Sequence, residues 1–257
     1  EYPRTREKVL CLSCGEVGRI VFSDTDKIGF DEQILSEDYD EYEWEDGDDE
    51  LAEKLEAVRK HAIGVLQNRS HSIAERIKMY LDYCCQMQKE LFETVPKEEE
   101  PEQISLYEAF LQRLSQYEEL ESIGDAWSDM EEKLKSFYNE ENYEKTHRAF
   151  MEAQKENEYQ YEHLMVYYTF RYFMRAFYDN NLLEKAQFAA ASFLMVRDMD
   201  VMVWMKNGQK FDLQDRIGTT KVYAKEVEHS EENIEMLGES FLFEDVFSVK
   251  GLLAQIM

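Results

Sequence analysis

The stretch from Tyr159 to Tyr178 puts nine tyrosines and phenylalanines into twenty residues. On a helix, Tyr167, Tyr168, Phe170, Tyr172, Phe173, Phe177 and Tyr178 surround the axis rather than striping one side of it. A helix apolar on most sides is stable only where several neighbours cover it, so the rest of the chain must wrap this segment. Ten glycines and three prolines in 257 residues supply too few turns for a many-stranded sandwich or barrel. No run alternates with the period of a strand, and apolar residues recur at helical spacing. The sequence predicts an all-α fold, an irregular bundle of about eight to ten helices around a central aromatic-rich helix.

Helix boundaries follow from capping residues and breakers. A short helix from Gly15 to Phe22 is expected behind a Ser13–Glu16 capping box, in which each side chain satisfies an unpaired backbone N–H. Leu51, Leu55, Val58, Ala62 and Leu66 mark a helix ending near Arg69. Ser72 with Glu75 caps the next, to about Glu93, with Cys84 on its buried side, and Ser105 with Glu108 caps another. Helices over 106–120 and 123–138 have sparser apolar positions and are expected at the surface. A helical region from about Asn142 is broken by Asp179-Asn180-Asn181, and Leu182 to Met205 follows with small residues that permit close packing. Asn207-Gly208 ends it, Asp212 caps a helix to His229, Ser230 the next to Phe243, and residues 247–257 close the chain. Thr94 to Gln103, with Pro96 and Pro101, reads as a linker between an N-terminal helical segment (residues 1–93) and the main helical segment (residues 94–257), either separating two lobes or joining two antiparallel helices. Ser36 to Glu50 holds ten acidic residues in fifteen, expected as a solvated acidic loop.

Fifty-six acidic against twenty-nine basic side chains leave a formal charge of −27. Such a surface repels nucleic acid and anionic lipid and draws cationic partners, lysine-rich protein segments among them. No apolar run is long enough to span a bilayer. Four cysteines, two of them adjacent, do not make a disulfide framework, which points to a reducing cytoplasm. The first residues, Glu1-Tyr2-Pro3-Arg4, lack an initiator methionine, so a fragment or a processed product is expected.

Familiar chemical signatures are missing: there is no glycine-rich dinucleotide turn, no phosphate loop, no His-Glu-x-x-His and no Gly-x-Ser-x-Gly. Cys11 and Cys14 have the spacing of half a metal site, but no second pair supplies the remaining ligands. Cys14, near a helix start, is a candidate ligand or an ordinary small packing residue. The second dense stretch is Tyr223-Ala224-Lys225-Glu226-Val227-Glu228-His229-Ser230-Glu231-Glu232-Asn233. There Glu228 or His229 can serve as a base, or as a carboxylate facing a cation; a polar helix junction fits the same residues. Arg171 and Arg175, one turn apart among the aromatics, can pair with carboxylates, stack on rings or hold a ligand carboxylate.

Taken together, Tyr2-Pro3-Arg4, the Ser13-Cys14-Gly15-Glu16 segment, Leu66-Gln67-Asn68-Arg69, the aromatic stretch and Glu226 to Asn233 resemble the flagellin lysine-N-methylase family. Two departures stand out: Gly15 where the family has proline, and no cysteine-rich metal-binding segment ahead of Tyr2. The resemblance implies that Cys14 belongs to an iron–sulfur or other metal site whose partner ligands lie upstream. It also implies methyl transfer from S-adenosylmethionine to lysines of flagellin or another protein. Glu228, His229 and Tyr223 are then the candidate catalytic residues. Tyr168, Arg171, Tyr172 and Asn233 are the candidates for holding the cofactor. The competing expectation is a non-catalytic acidic helical module that binds basic partners.

Overall fold

Two of the three Ser-x-x-Glu sites open helices as their spacing predicts. Ser72 and Ser105 each accept a bond from the backbone N–H three residues on, while Glu75 and Glu108 reach back to the serine N–H, a cap worth about 1 kcal/mol. The computed structural model describes residues 11–30, 48–94 and 103–256. Tyr2-Pro3-Arg4, the acidic stretch as far as residue 47, linker residues 95–102 and Met257 lie outside them.

Twelve α-helices follow in chain order, with no strand among the described residues. They are α1 (Gly15–Phe22), α2 (Asp48–Leu66), α3 (Ile73–Phe92), α4 (Leu106–Glu118), α5 (Asp125–Phe137) and α6 (Tyr143–Ala153), then α7 (Tyr159–Tyr172), α8 (Ala176–Asp179), α9 (Leu182–Lys206), α10 (Leu213–Val227), α11 (Glu231–Phe243) and α12 (Val249–Gln255). The count exceeds eight to ten because the region from Asn142 to Tyr178 is divided by 3₁₀ turns at Lys155–Asn157 and Phe173–Arg175. Asn180 and Gly208, both at positive φ, stand just past α8 and α9, where a left-handed residue turns the chain out of a helix. Among the described residues no helix is long and apolar enough to cross a membrane.

The aromatic α7 is buried on nearly every side, packed on α1, α2 and α9. It shares the centre with α9, which is buried from Leu182 to Met202 except at Glu184. Ala186, Ala189, Ala190, Ala191 and Ser192 give α9 a narrow waist, and α3, α5, α6, α7, α10, α11 and α12 all pack against it. Helices on both sides of the Thr94–Gln103 linker thus feed one hydrophobic cluster.

Four arginines, Arg76, Arg113, Arg197 and Arg216, are also almost fully buried. Burying a charge is costly unless it is paired, and three of the four sit against equally buried carboxylates. Arg76 and Arg69 hold Glu162, Arg113 holds Asp198, and Arg216 holds Asp200. Arg113 corrects the expectation that the helix over 106–120 lies at the surface. Its guanidinium carries α4 into the core, where Phe110, Leu114 and Tyr117 are buried with it. The neighbouring α5, which buries only Trp127 and Leu134, does lie at the surface.

Candidate functional site

Helix α10 ends at Val227, and Glu228 adds one further helical residue as its cap before Ser230 starts α11 by accepting the Asn233 N–H. The short turn sends two consecutive side chains in opposite directions: Glu228 inward, fully buried, and His229 outward. α1 reaches this joint because Gly18 lets it lie close on α10; a Cβ at Gly18 would stand 3.3 Å from the Ile217 side chain.

Glu228 is ringed by α7. The Tyr167 hydroxyl donates to Oε2 at 2.7 Å, Tyr172 to the same oxygen at 3.1 Å, and Tyr168 to Oε1 at 3.3 Å. Arg171 Nε stands 3.2 Å from Oε2, with its side chain 14% exposed. These four residues, at i, i+1, i+4 and i+5 of one helix, lie on adjoining faces and so can converge on one point. Burial raises the Glu228 carboxyl above its ordinary range, opposed by Arg171 and the three phenols. Burial also pushes the three phenols well up, and the nearby Glu228 charge adds to it. Burial works against the Arg171 charge, but Tyr172, Tyr167 and Glu228 outweigh it. One turn on, Arg175 makes a two-point bond with Glu231 at 2.7 and 2.8 Å and lies over the Tyr172 ring. Both arginines therefore pair with carboxylates of the α10–α11 joint.

Residues 11–14 lie across this cluster in a turn closed by Cys14 N–H to Cys11 C=O at 3.0 Å. Leu12 is buried, and its N–H donates to the Tyr167 hydroxyl at 3.3 Å. Ser13 Oγ stands 2.6 Å from His229 Nε2. The expected Ser13–Glu16 capping box is thus corrected: Cys14, with extended backbone, is the N-cap of α1, and no side chain caps that end. The serine hydroxyl is drawn to His229 instead, and Cys14 sits one residue ahead of the first turn. The partly buried Cys11 thiol is pushed up by burial and by the Glu228 charge.

The remaining sequence candidates lie elsewhere. The Tyr223 hydroxyl meets Ser192 Oγ at 2.9 Å and Tyr117 at 3.2 Å, and its ring stands edge-on behind Tyr168. Asn233 ties the joint to the loop after α4: its oxygen accepts the Glu121 N–H, and its amide donates to the carbonyls of Glu121 and Glu226. Cys14 is exposed, and among the described residues no group of three or more His, Cys, Asp or Glu could hold a metal ion. Ser13 was legible only as a cap, and Tyr167 only as one member of the aromatic run.

An all-α bundle built on a buried aromatic helix, with a carboxylate at the α10–α11 joint bonded by three phenols and a guanidinium and a surface histidine beside it, defines a helical domain whose distinctive chemistry is concentrated at one joint. Over residues 59–255 the sequence matches the FliB lysine N-methylase C-terminal domain, and the chain belongs to that family. No curated protein and no solved structure matches it. The Glu228 ring falls inside the matched span; Leu12 and Ser13 fall outside it.

Proposed function

We propose that the chain serves the N-methylation of lysine side chains in flagellin or another lysine-bearing protein, with its chemistry at the Glu228–His229 joint. The observation that carries this reading is the convergence of Tyr167, Tyr168, Arg171 and Tyr172 on a carboxylate whose chain neighbour is a surface histidine. A lysine amine attacks only when neutral, so the ammonium must first give up a proton. His229, exposed at the joint, takes it. Glu228 is already paired with Arg171, so it fixes the joint and forms the anionic wall behind the histidine. The longer-range pull on a cationic substrate comes from the net charge of −27 and weakens with salt.

S-adenosylmethionine, when bound, supplies a methyl group activated by a sulfonium. Of the side chains expected to hold it, Tyr168, Tyr172 and Asn233 are buried with polar groups engaged. We therefore assign the contact to Arg171, at the partly exposed edge of the cluster. Cys14 would be one ligand of a metal site completed from outside the described residues.

The test is transfer of labelled methyl groups to flagellin lysines by the full-length protein, read by mass spectrometry. His229→Gln should lower transfer about a hundredfold, the order expected for loss of a positioned base, and Glu228→Gln, which disturbs the joint that holds it, should lower it by less, both with helical circular dichroism retained. Wild-type transfer in both variants sinks the assignment. Salt-sensitive flagellin binding with no methyl transfer by the wild type would favour the acidic binding module instead.

A further inference from the structure

We propose that Ser13 is a positioning residue for His229, and that the turn of residues 11–14 completes the site from outside the matched domain. The inference rests on the lysine-methylation reading and deepens it. The turn docks at two points on consecutive residues. The Leu12 N–H donates to the Tyr167 hydroxyl, which donates to Glu228; one residue on, Ser13 Oγ meets His229 Nε2 at 2.6 Å. Because Glu228 and His229 are chain neighbours, these contacts close a ring through Tyr167, Leu12 and Ser13. The buried Leu12 side chain sets the height of the turn, so packing rather than its own rotamer brings Ser13 to the histidine.

This ring fixes an imidazole that would otherwise sample several rotamers at the surface. It also sets the tautomer. The turn is tightened by the Ser13 backbone N–H, which donates to the Cys11 sulfur at 3.4 Å, and the Ser13 hydroxyl has His229 as its partner. In this proposal the Ser13 oxygen accepts Nε2–H from His229 across the 2.6 Å contact, which leaves Nδ1 unprotonated. A histidine held through one ring nitrogen by a fixed acceptor presents the other as the base. Ser13 touches neither substrate nor reacting atoms; it acts through His229. Its hydroxyl has no capping duty to compete with this role, since Cys14 occupies the N-cap.

The test uses the full-length protein and the Ser13→Ala and Ser13→Thr variants, with two readouts. Ring-nitrogen NMR of His229 should show Nε2 protonated in the wild type, a mixture of tautomers in Ser13→Ala, and return of the single tautomer in Ser13→Thr. Methyl transfer to flagellin should show kcat lowered about tenfold in Ser13→Ala, below the roughly hundredfold cost of a badly misplaced group. KM for flagellin should stay within about twofold, with recovery in Ser13→Thr. His229 signals unchanged in Ser13→Ala, or a change confined to KM, would overturn the proposal. An inactive wild type that still shows the tautomer shift would overturn the methylation reading and the catalytic use of the bond, while leaving the bond itself standing. An active wild type matched by Ser13→Ala would overturn the role of Ser13 alone.

Discussion

Replacing Glu228 by glutamine and by alanine separates its charge from its hydrogen bonds. In the native ring Oε2 accepts from Tyr167 and Tyr172 and pairs in charge with Arg171, whose Nε–H donates to the Tyr172 hydroxyl, while Oε1 accepts from Tyr168. A glutamine can therefore place its oxygen where Oε2 was, keeping both phenol donors, and offer its amide to the Tyr168 oxygen, while the ion pair with Arg171 is lost. The phenol bonds survive but lose charge assistance, about 1 kcal/mol each and about 3 kcal/mol in all. Relief from burying an anion returns part of that, so Glu228→Gln should cost about 2 kcal/mol. Alanine strands three buried phenols and a guanidinium and leaves a void, which should cost about 4–5 kcal/mol. For a chain of this size each kcal/mol moves the thermal midpoint by about 2–4 °C. The glutamine variant should thus melt about 4–8 °C below the wild type, and the alanine variant at least about 8 °C below it. Melting curves at 222 nm decide the matter. Equal midpoints for the two variants would refute the view that the carboxylate oxygens organise this joint.

Gly251→Ala should unseat α12, because its Cβ would collide with the Asp245 carbonyl oxygen, a backbone atom that cannot swing aside; a loss of about 3 kcal/mol or more is expected in urea denaturation. Gly64→Ala, in an exposed helical position with open space around it, should instead gain about 0.5–1 kcal/mol. Asp198 gives the pH dependence: burial opposes its charge, but Arg113, His147 and Arg197 hold its carboxyl down at about 2. A lowered carboxyl stabilises the fold above its unfolded value and loses that contribution as pH falls toward 2, about 2–3 kcal/mol in all. His147, whose basicity burial lowers against the pull of Asp198, adds a loss of the same sign as pH falls through its unfolded value of about 6.5. Urea midpoints between about pH 7 and pH 3 should fall steeply in the wild type and more gently in Asp198→Asn, which starts lower; parallel curves would discount the pair.

Local chemistry was readable in the sequence where residues act within one turn. Ser72, Ser105 and Asp212 cap because their partners lie three residues away, and Asn180 and Gly208 stop helices for reasons confined to their own φ angles. The aromatic stretch announced a buried helix, and Arg171 and Arg175 announced carboxylate partners. What could not be read was which carboxylates. Glu228 and Glu231 lie 56 or more residues downstream, brought back by the packing of α9 and α10 on α7. The same reason hid Ser13, whose spacing to Glu16 is a valid cap signal overridden by a histidine 216 residues away. Asn233 shows the converse: it is close to Glu228 in sequence, yet α11 aims it at the Glu121 backbone. Buried arginines were illegible because hydropathy marks them as surface residues until their carboxylates are seen.

The all-round burial of α9 has a consequence for the order in which the chain can be made. Its cover comes from α3, α5, α6 and α7 on the N-terminal side and from α10, α11 and α12 on the other. A nascent chain that has released α9 from the ribosome holds four of those seven helices, and α12 joins them when residues 249–255 emerge. Until then the sequence Phe188-Ala189-Ala190-Ala191-Ser192-Phe193-Leu194-Met195-Val196 presents an uncovered apolar face to chaperones and to other nascent chains. Folding of this helical domain is therefore completed only once residues 249–255 have left the ribosome, and removing that single helix exposes the middle of the molecule.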